Sequence, residues 1–283
     1  MGLAITLGLF SAITLAAANL SIKMGADILV SRAVLSLSAA LIVAPAAFFV
    51  PLPDTPTLWA LAATLPAHFC YQMCLVGAMQ RADLSLVFPV MRGAAPLLTA
   101  FTALTLLGES LTPLAWCGLV VATAALLFFV LPPAGTKLRS HPDAVALGWA
   151  VGTAVGIAFY NTLDARGVRI APDPFTFIVW IFLLDPIAIT VVVALRRRGL
   201  LQALRSVRWR YGAAAGALSI ASFGSALYAF SLIETAKVAA LRETSVVFAA
   251  FMGSRFLGES FGARRIMAAI TLAAGLILMQ FAG

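Results

Sequence analysis

The sequence predicts an all-α polytopic membrane protein with ten transmembrane helices, arranged as two inverted five-helix repeats. First, 62% of the 283 residues are hydrophobic and 11% are charged, with a mean hydropathy of +1.03, which is too apolar for a water-soluble domain. Second, ten apolar stretches each reach the roughly 20 residues that a helix needs to cross a bilayer. Third, a Gly-Glu-Ser triplet occurs twice, at 108–110 and at 258–260.

The ten predicted spans are separated by segments rich in proline or charge, such as 51–56, 171–174 and 196–199. The first span lacks a basic N-terminal segment and nine spans follow it, so we interpret it as a retained helix rather than a signal peptide. The predicted spans are 3–22, 28–50, 57–79, 84–107, 112–131, 144–163, 175–195, 211–232, 238–257 and 264–282.

The repeat divides the chain into a first half at 1–131, a linker at 132–143 and a second half at 144–283. Each half carries an arginine 17 positions before the glutamate of its triplet, Arg92 in the first and Arg242 in the second. Because each half contains an odd number of spans, the second half must be inverted in the membrane. The glutamates of the two triplets are predicted to cap helices, since a carboxylate stabilises a helix N-terminus.

Loop charge predicts the orientation. Fourteen lysines and arginines fall in the loops after spans 1, 3, 5, 7 and 9 or at the adjoining helix ends, and three fall on the other side. By the positive-inside rule the first set of loops is cytoplasmic, which places both termini outside. The net charge of +8 therefore indicates membrane topology, and we expect no nucleic-acid partner.

The segments RADLSLVFPVMRGAAPLL (81–98) and VAALRETSVVFAAFMGSRFLGE (238–259) resemble the drug/metabolite transporter superfamily, specifically its ten-helix EamA-type permeases. A Leu-Gly-Glu turn before the last helix of each half adds to the resemblance, which covers essentially the whole chain. It implies a secondary carrier of the bacterial inner membrane, with a central cavity lined by helices 1, 3, 4, 6, 8 and 9. Span 1 departs from the family pattern, because it lacks the tryptophan-glycine pair and reads Ala18-Asn19-Leu-Ser21-Ile-Lys23.

The two arginines are the leading candidates for substrate binding. A guanidinium inside a membrane span is costly, so it usually marks a solute path or a buried partner. Arg92 lies between Pro89 and Pro96, which predict a kinked helix that presents the cation at mid-membrane. Glu243 follows Arg242, and adjacent positions on a helix diverge by about 100°, so these two side chains cannot face one another. Glu243 is predicted either to neutralise Arg92 or to carry a coupling proton.

Several polar residues complete the predicted lining. His68 and Gln72 share a face of span 3, and Asp185 before Pro186 in span 7 is a second candidate for proton coupling, with a structural contact as the alternative. Each polar side chain alone serves more often as a contact between helices. The remaining candidates are Asn19, Tyr160, Asn161, Ser222 and Tyr228.

Other functions are disfavoured by the motifs. The sequence 258–262 matches the G-x-S-x-G serine-hydrolase pattern, but membrane helices flank it and its sibling at 108–112 lacks the last glycine. No Walker A, HExxH or GxGxxG motif occurs, so we expect no cofactor, no metal and no enzymatic activity. The favoured function is secondary transport of an amino acid or organic acid by alternating access. Proton-coupled efflux of lipophilic cations is the alternative, and a membrane-embedded enzyme is a third. The protein is expected to be a monomer or a homodimer.

The predicted topology can be tested with fusions at the C-terminus. A reporter that is active only outside the cytoplasm should be active there, and one that is active only in the cytoplasm should be silent, because the final helix ends on the side poor in basic residues. Fusions after residue 200, in the arginine-rich loop, serve as the opposite control. A cytoplasmic reporter that is active at the C-terminus would contradict the orientation.

Overall fold

The computed structural model describes residues 1–23, 28–81, 90–130, 144–196, 209–248, 251 and 263–282. In this part of the chain the regular secondary structure is helical, without strands. Four predicted features lie outside the described residues. They are Pro89, the linker at 132–143, most of the arginine-rich loop after span 7 and the second Gly-Glu-Ser triplet.

The helices of the first half follow the predicted spans closely. A 3₁₀ segment, Ala44–Phe48, extends the second helix, and the described residues 90–93, which precede the fourth helix, are helical. The helices are α1 (Gly2–Lys23), α2 (Ile28–Val43), α3 (Thr55–Met79), α4 (Ala95–Leu107) and α5 (Pro113–Val130).

In the second half, a π-helical segment, Ile220–Gly224, joins the eighth and ninth helices, and the described residues 245–248, which follow the tenth helix, are helical. The helices are α6 (Ala144–Ile170), α7 (Pro174–Arg196), α8 (Trp209–Ser219), α9 (Ser225–Phe230), α10 (Thr235–Glu243) and α11 (Ala263–Phe281).

The prediction that Tyr160 and Asn161 lie near the end of their helix is wrong, because α6 continues to Ile170. The apolar stretch ends at about residue 163, where Asp164 and Arg166 follow. Charged residues end a hydrophobic run without breaking a helix, and the chain reaches its next helix breaker only at Pro172.

Two helix ends have clear local causes. Asp54 accepts hydrogen bonds from the side-chain hydroxyl and the backbone N–H of Thr57 at the start of α3. These bonds, the side-chain one foremost, hold the pKa of the Asp54 carboxyl below its usual range. At the other end of the first half, α4 stops at Gly108, whose φ of 70° is a left-handed conformation that favours glycine.

Five described helices are long and apolar enough to cross a bilayer: Leu29–Phe48, Thr55–Ala78, Val90–Leu107, Ala144–Ile170 and Pro174–Arg196. Shorter apolar helices are Gly2–Ala18, Pro113–Phe128, Ala214–Phe230 and Ile266–Phe281. Many large apolar side chains on these helices are exposed, among them Leu41, Phe101 and Ile270, as expected for surfaces that face lipid. The predicted span at 238–257 is only partly described, so the count of ten spans stays a prediction.

The described chain forms two compact units, each drawn from both predicted halves. Unit 1 comprises residues 1–69 and 163–233, and unit 2 comprises residues 70–162 and 234–283. In unit 1, α2 packs against α7 and α8, and α1 packs against α8 and α9. In unit 2, α5 packs against α11, and α4 packs against α10. The domain boundaries at 131 and 144, which rest on the repeat, stay predictions.

The α5–α11 pair of unit 2 is built on small residues. A Cβ at Gly118 would lie 2.6 Å from the backbone nitrogen of Met279, and a Cβ at Gly275 would lie 2.7 Å from that of Ala122. The two backbones therefore approach as closely as glycine allows. Because 118 is next to 279 and 122 is next to 275, the helices run antiparallel. An inverted repeat requires such pairs of equivalent helices.

We expect Gly118→Ala to destabilise unit 2, because the added methyl group meets backbone atoms of α11 that cannot rotate away. Overpacking of this kind costs on the order of 1–3 kcal/mol. The melting temperature of the detergent-purified protein is the measurement. Gly148→Ala is the matched control, since a Cβ at Gly148 has nothing within 4 Å. Equal melting temperatures for the two variants would contradict the close approach.

Candidate functional site

An intramembrane ion pair joins the two halves of the sequence within unit 2. Arg92 Nη1 donates to Glu243 Oε1 at 3.1 Å, and the two side chains are 15% and 6% exposed. The arginine lies in the helical segment before α4, and the glutamate is the last residue of α10. Of the two predicted roles of Glu243, the contact with Arg92 is therefore present in the structure.

Each partner stands at a break in its helix. The helix is interrupted at Ala94, just before Pro96, and again at Thr244. These breaks follow Arg92 and Arg242 by two residues each, which are equivalent positions in the predicted repeat. Proline accounts for the first break. At the second, the hydroxyl of Thr244 donates to the carbonyl of Leu241 at 2.7 Å, a local bond that competes with the helical ladder.

The pair has unused hydrogen-bonding capacity. Glu243 Oε2 is buried and receives no hydrogen bond from the described residues. Arg92 uses one of its five N–H groups on Glu243, and no other hydrogen bond from its guanidinium is seen within the described ranges. Arg242 is also buried, on the neighbouring position of α10.

Aromatic and amide side chains of α3 and α6 belong to the same unit. The rings of Tyr71 and Tyr160 lie 5.0 Å apart, and both tyrosines interact electrostatically with Arg92. Asn161 is buried, and its Oδ1 has no hydrogen-bond partner among the described residues. Gln72 is buried as well. The predicted candidates Tyr160, Asn161 and Gln72 thus share a unit with Arg92, Arg242 and Glu243.

Glu109 caps the helix that carries Arg242 and Glu243. Its carboxylate accepts hydrogen bonds from the backbone N–H of Thr235 at 2.7 Å and from the Thr235 hydroxyl at 2.8 Å. Thr235 is the first residue of α10. The Gly-Glu turn of the first half therefore caps a helix of the second half, while Thr112 caps the helix that follows the turn by accepting the N–H of Ala115. The position of α10 depends on this contact.

Unit 1 holds a second buried polar cluster. His68 Nε2 lies 2.9 Å from Asp164 Oδ2, and His68 Nδ1 lies 3.9 Å from Asp185 Oδ1. Thr64 donates to Asp164 Oδ1, and Ser36 donates to Asp185 Oδ2 at 3.4 Å. Sequence reasoning missed Asp164, because it lies just beyond the predicted end of span 6. A buried carboxylate one helical turn after Asn161 was the available signal.

The other sequence candidates in unit 1 make contacts between helices. Ser222 donates to the backbone carbonyl of Ser11 at 2.9 Å, and Tyr228 stacks on Phe175 with ring centroids 5.3 Å apart. The side chain of Asn19 lies outside the described residues. The substrate roles predicted for Ser222, Tyr228 and Asn19 stay predictions.

Comparison with known proteins places the chain in a family. The model of the EamA-like transporter family matches residues 144–281. Through this half, the chain belongs to the EamA-like transporter family, within the drug/metabolite transporter superfamily. The match begins at Ala144, the first residue of the predicted second half. The EamA-like protein is accordingly a multi-pass membrane protein of a transporter family.

The fold is also similar to that of a solved structure titled "Crystal structure of protein". The superposition has a TM-score of 0.74 and covers 98% of this chain and 94% of the other, with 16% sequence identity. At this identity the likeness concerns the fold alone. It spans both halves of the EamA-like chain, including the half that the family model does not match.

We expect Glu109→Ala to destabilise the protein by about 0.5–2 kcal/mol, the usual cost of losing a helix cap, because the N-terminus of α10 loses both acceptor oxygens. Glu109→Gln keeps one acceptor oxygen and should lie between this variant and the wild type. The readout is thermal unfolding in detergent, with Ser110→Ala at the neighbouring exposed position as control. Glu109→Ala as stable as Ser110→Ala would show that the cap is dispensable.

Proposed function

We propose that the EamA-like protein is a secondary active transporter that moves a small carboxylate-bearing solute, with an amino acid favoured, across the cytoplasmic membrane by alternating access. The observation that carries the proposal is the Arg92–Glu243 pair, a buried cation and anion that each keep unused hydrogen-bonding capacity. Its family supplies the general class of activity.

The charge of the pair's surroundings favours an anionic group on the substrate. Arg92 and Arg242 are both present in this part of unit 2, with Glu243 as the acidic partner of Arg92. A carboxylate can take two parallel N–H bonds from a guanidinium, and such charge-assisted bonds are about twice as strong as neutral ones. A substrate carboxylate on Arg92 would therefore use donors that the described residues leave unoccupied.

The unbonded oxygen of Glu243 favours an amino acid over a simple organic acid. An ammonium group next to the substrate carboxylate would donate to Glu243 Oε2 and relieve a buried acceptor that otherwise costs about 1–3 kcal/mol. A zwitterion thus complements both members of the pair. The rings of Tyr71 and Tyr160 offer apolar and π surface for the substrate's side chain.

Efflux of a lipophilic cation is the second candidate, supported by the buried carboxylate of Glu243 and the tyrosine pair. A cation would have to compete with Arg92 for Glu243 and would be repelled by the guanidinium of Arg92. We therefore rank it below an amino acid. A membrane-embedded enzyme ranks third, because predicted membrane helices flank the G-x-S-x-G match at 258–262 and the chain has no HExxH or GxGxxG motif.

The interrupted helices suit alternating access. Carriers often bind their solutes where membrane helices are discontinuous, because the free backbone groups at such breaks contact the solute or coupling ion. The breaks at Ala94 and Thr244 adjoin the arginine of each half. Energy would come from a proton or solute gradient, since the chain has no Walker A motif.

Thermal stabilisation by matched ligands tests the substrate class. Leucine, isopentylamine and 4-methylpentanoate share one side chain and differ in the charged groups, and equivalent trios can be built for other side chains. We expect an amino acid to raise the melting temperature more than its amine or acid analogue. Stabilisation by amines alone would favour the cation exporter and contradict the proposal.

Substitution of the pair tests the site. Arg92→Gln together with Glu243→Gln removes both charges without leaving either one buried alone, which breaking the pair would do at about 3–5 kcal/mol. We expect the double variant to fold and to bind the amino acid more than about 100-fold more weakly, because the substrate carboxylate and ammonium each lose a charged hydrogen bond of about 1.5–3 kcal/mol. Arg166→Gln, an exposed arginine on α6, is the control. Unchanged transport in Arg92→Ala and Arg242→Ala would refute the proposal.

A further inference from the structure

We propose that His68, Asp164 and Asp185 form a proton-binding site that couples proton movement to transport. The inference goes beyond the substrate site, which lies in unit 2, and rests on the proposed function only in that a carrier is needed for coupling. The carboxylates belong to α6 and α7, and the imidazole of α3 faces both of them.

The imidazole has a different partner on each side. Nε2 is within hydrogen-bond distance of Asp164, whereas Nδ1 is 3.9 Å from Asp185, too far for a hydrogen bond. A neutral imidazole carries one N–H and can donate to one carboxylate, while an imidazolium carries two and can donate to both. A second bond would require a shift of several tenths of an ångström. An imidazolium at His68 can therefore donate to carboxylates of both α6 and α7, whereas a neutral imidazole can donate to only one of them.

The neighbouring carboxylates favour a proton on the imidazole. The side chains of Asp164, His68 and Asp185 are 0%, 9% and 22% exposed. Arg32 on α2 is the other charged group of the described residues that interacts with His68. A protonated His68 places a positive charge between two carboxylates in a region with little water, and nearby opposite charges favour the charged form of an imidazole.

The surroundings suit a group that exchanges a proton. Hydroxyls of Thr64 and Ser36 hold the two carboxylates, so the acids keep their places when the imidazole moves. Phe223 packs edge-on against the imidazole with centroids 5.4 Å apart, which shields one side of it. Pro186 follows Asp185 within α7 and removes a ladder hydrogen bond there, so the backbone beside this carboxylate can bend.

A metal ion fits the cluster less well. In the described residues no group of three or more histidine, cysteine, aspartate or glutamate side chains is arranged to hold a metal. Asp164 accepts the Thr64 hydroxyl and faces the imidazole, so its oxygens are already engaged. A proton, which needs a donor and an acceptor at hydrogen-bond distance, suits this geometry.

The first test observes the proton directly and needs no substrate. The chain has two histidines, His68 and His141, so His141→Gln leaves one imidazole to report by ¹⁵N NMR in lipid nanodiscs. We expect the ring nitrogens of His68 to titrate reversibly across roughly pH 5–8, the range in which histidine exchanges protons in proteins. In the Asp164→Asn variant, the midpoint of the His68 titration should shift, because the imidazole loses its nearest carboxylate. A resonance that does not change with pH would overturn the proposal.

The second test separates coupling from transport in proteoliposomes, with radiolabelled leucine or whichever amino acid stabilises the protein most. A gradient of one pH unit supports at most about tenfold accumulation per proton. We expect it to drive accumulation by the wild type and by His141→Gln. His68→Gln, Asp164→Asn and Asp185→Asn should lose this accumulation while retaining exchange of labelled for unlabelled amino acid, since exchange needs no net proton movement.

The remaining outcomes have distinct meanings. If the wild-type protein exchanges the amino acid but the pH gradient drives no accumulation, the proposed proton coupling is wrong and the proposed transport is unaffected. Wild-type protein that exchanges none of the amino acids would contradict the transport proposal. The NMR titration of His68 would then be the remaining test of the proton-binding site. Loss of exchange together with accumulation in all three folded variants would assign the cluster a structural role and overturn the coupling.

Discussion

The organisation of this protein depends on placing charge inside lipid and balancing it there. A buried guanidinium is tolerated only when a partner offsets it, and Arg92 has that partner in Glu243, across 150 residues of sequence. The contact binds the segment before α4 to the end of α10. Glu109 then fixes the other end of α10 through Thr235. These charged residues of unit 2 thus fix where α10 begins and which segment its end contacts.

The apolar residues contribute differently. The core between α4, α5, α10 and α11 consists largely of alanine with a few larger side chains, such as Leu119, Leu272 and Met279. In lipid the hydrophobic effect does not drive helices together, so small side chains that allow close backbone contact supply the packing. Large apolar side chains are abundant on exposed surfaces instead. Small apolar residues therefore mediate helix association, and large apolar residues face the lipid.

Much of this arrangement could be predicted from residue patterns. The length of the apolar stretches locates most helices to within a few residues. The repeated triplet and its arginine single out Arg92 and Arg242 as candidate site residues, and Glu243 follows from its position next to Arg242. The end of α6 was misplaced, because apolar length measures where lipid ends and not where a helix ends, and Asp164 was missed with it. The contact between Glu109 and Thr235 could not be predicted either, because spacing along the chain does not specify which helix a capping side chain contacts. Contacts between residues far apart in sequence are found only in the three-dimensional structure.

The two matching helix breaks differ in one chemical respect. Position 96 is proline, which has no N–H to bond the carbonyl of Arg92, its partner in a regular α-helix. The equivalent residue of the second half, Val246, retains its N–H. The interruption beside Arg92 therefore follows from a missing backbone donor, whereas all the backbone donors remain at the second break, where the Thr244 hydroxyl bonds the carbonyl of Leu241. The chain reaches two similar interruptions by different chemical means.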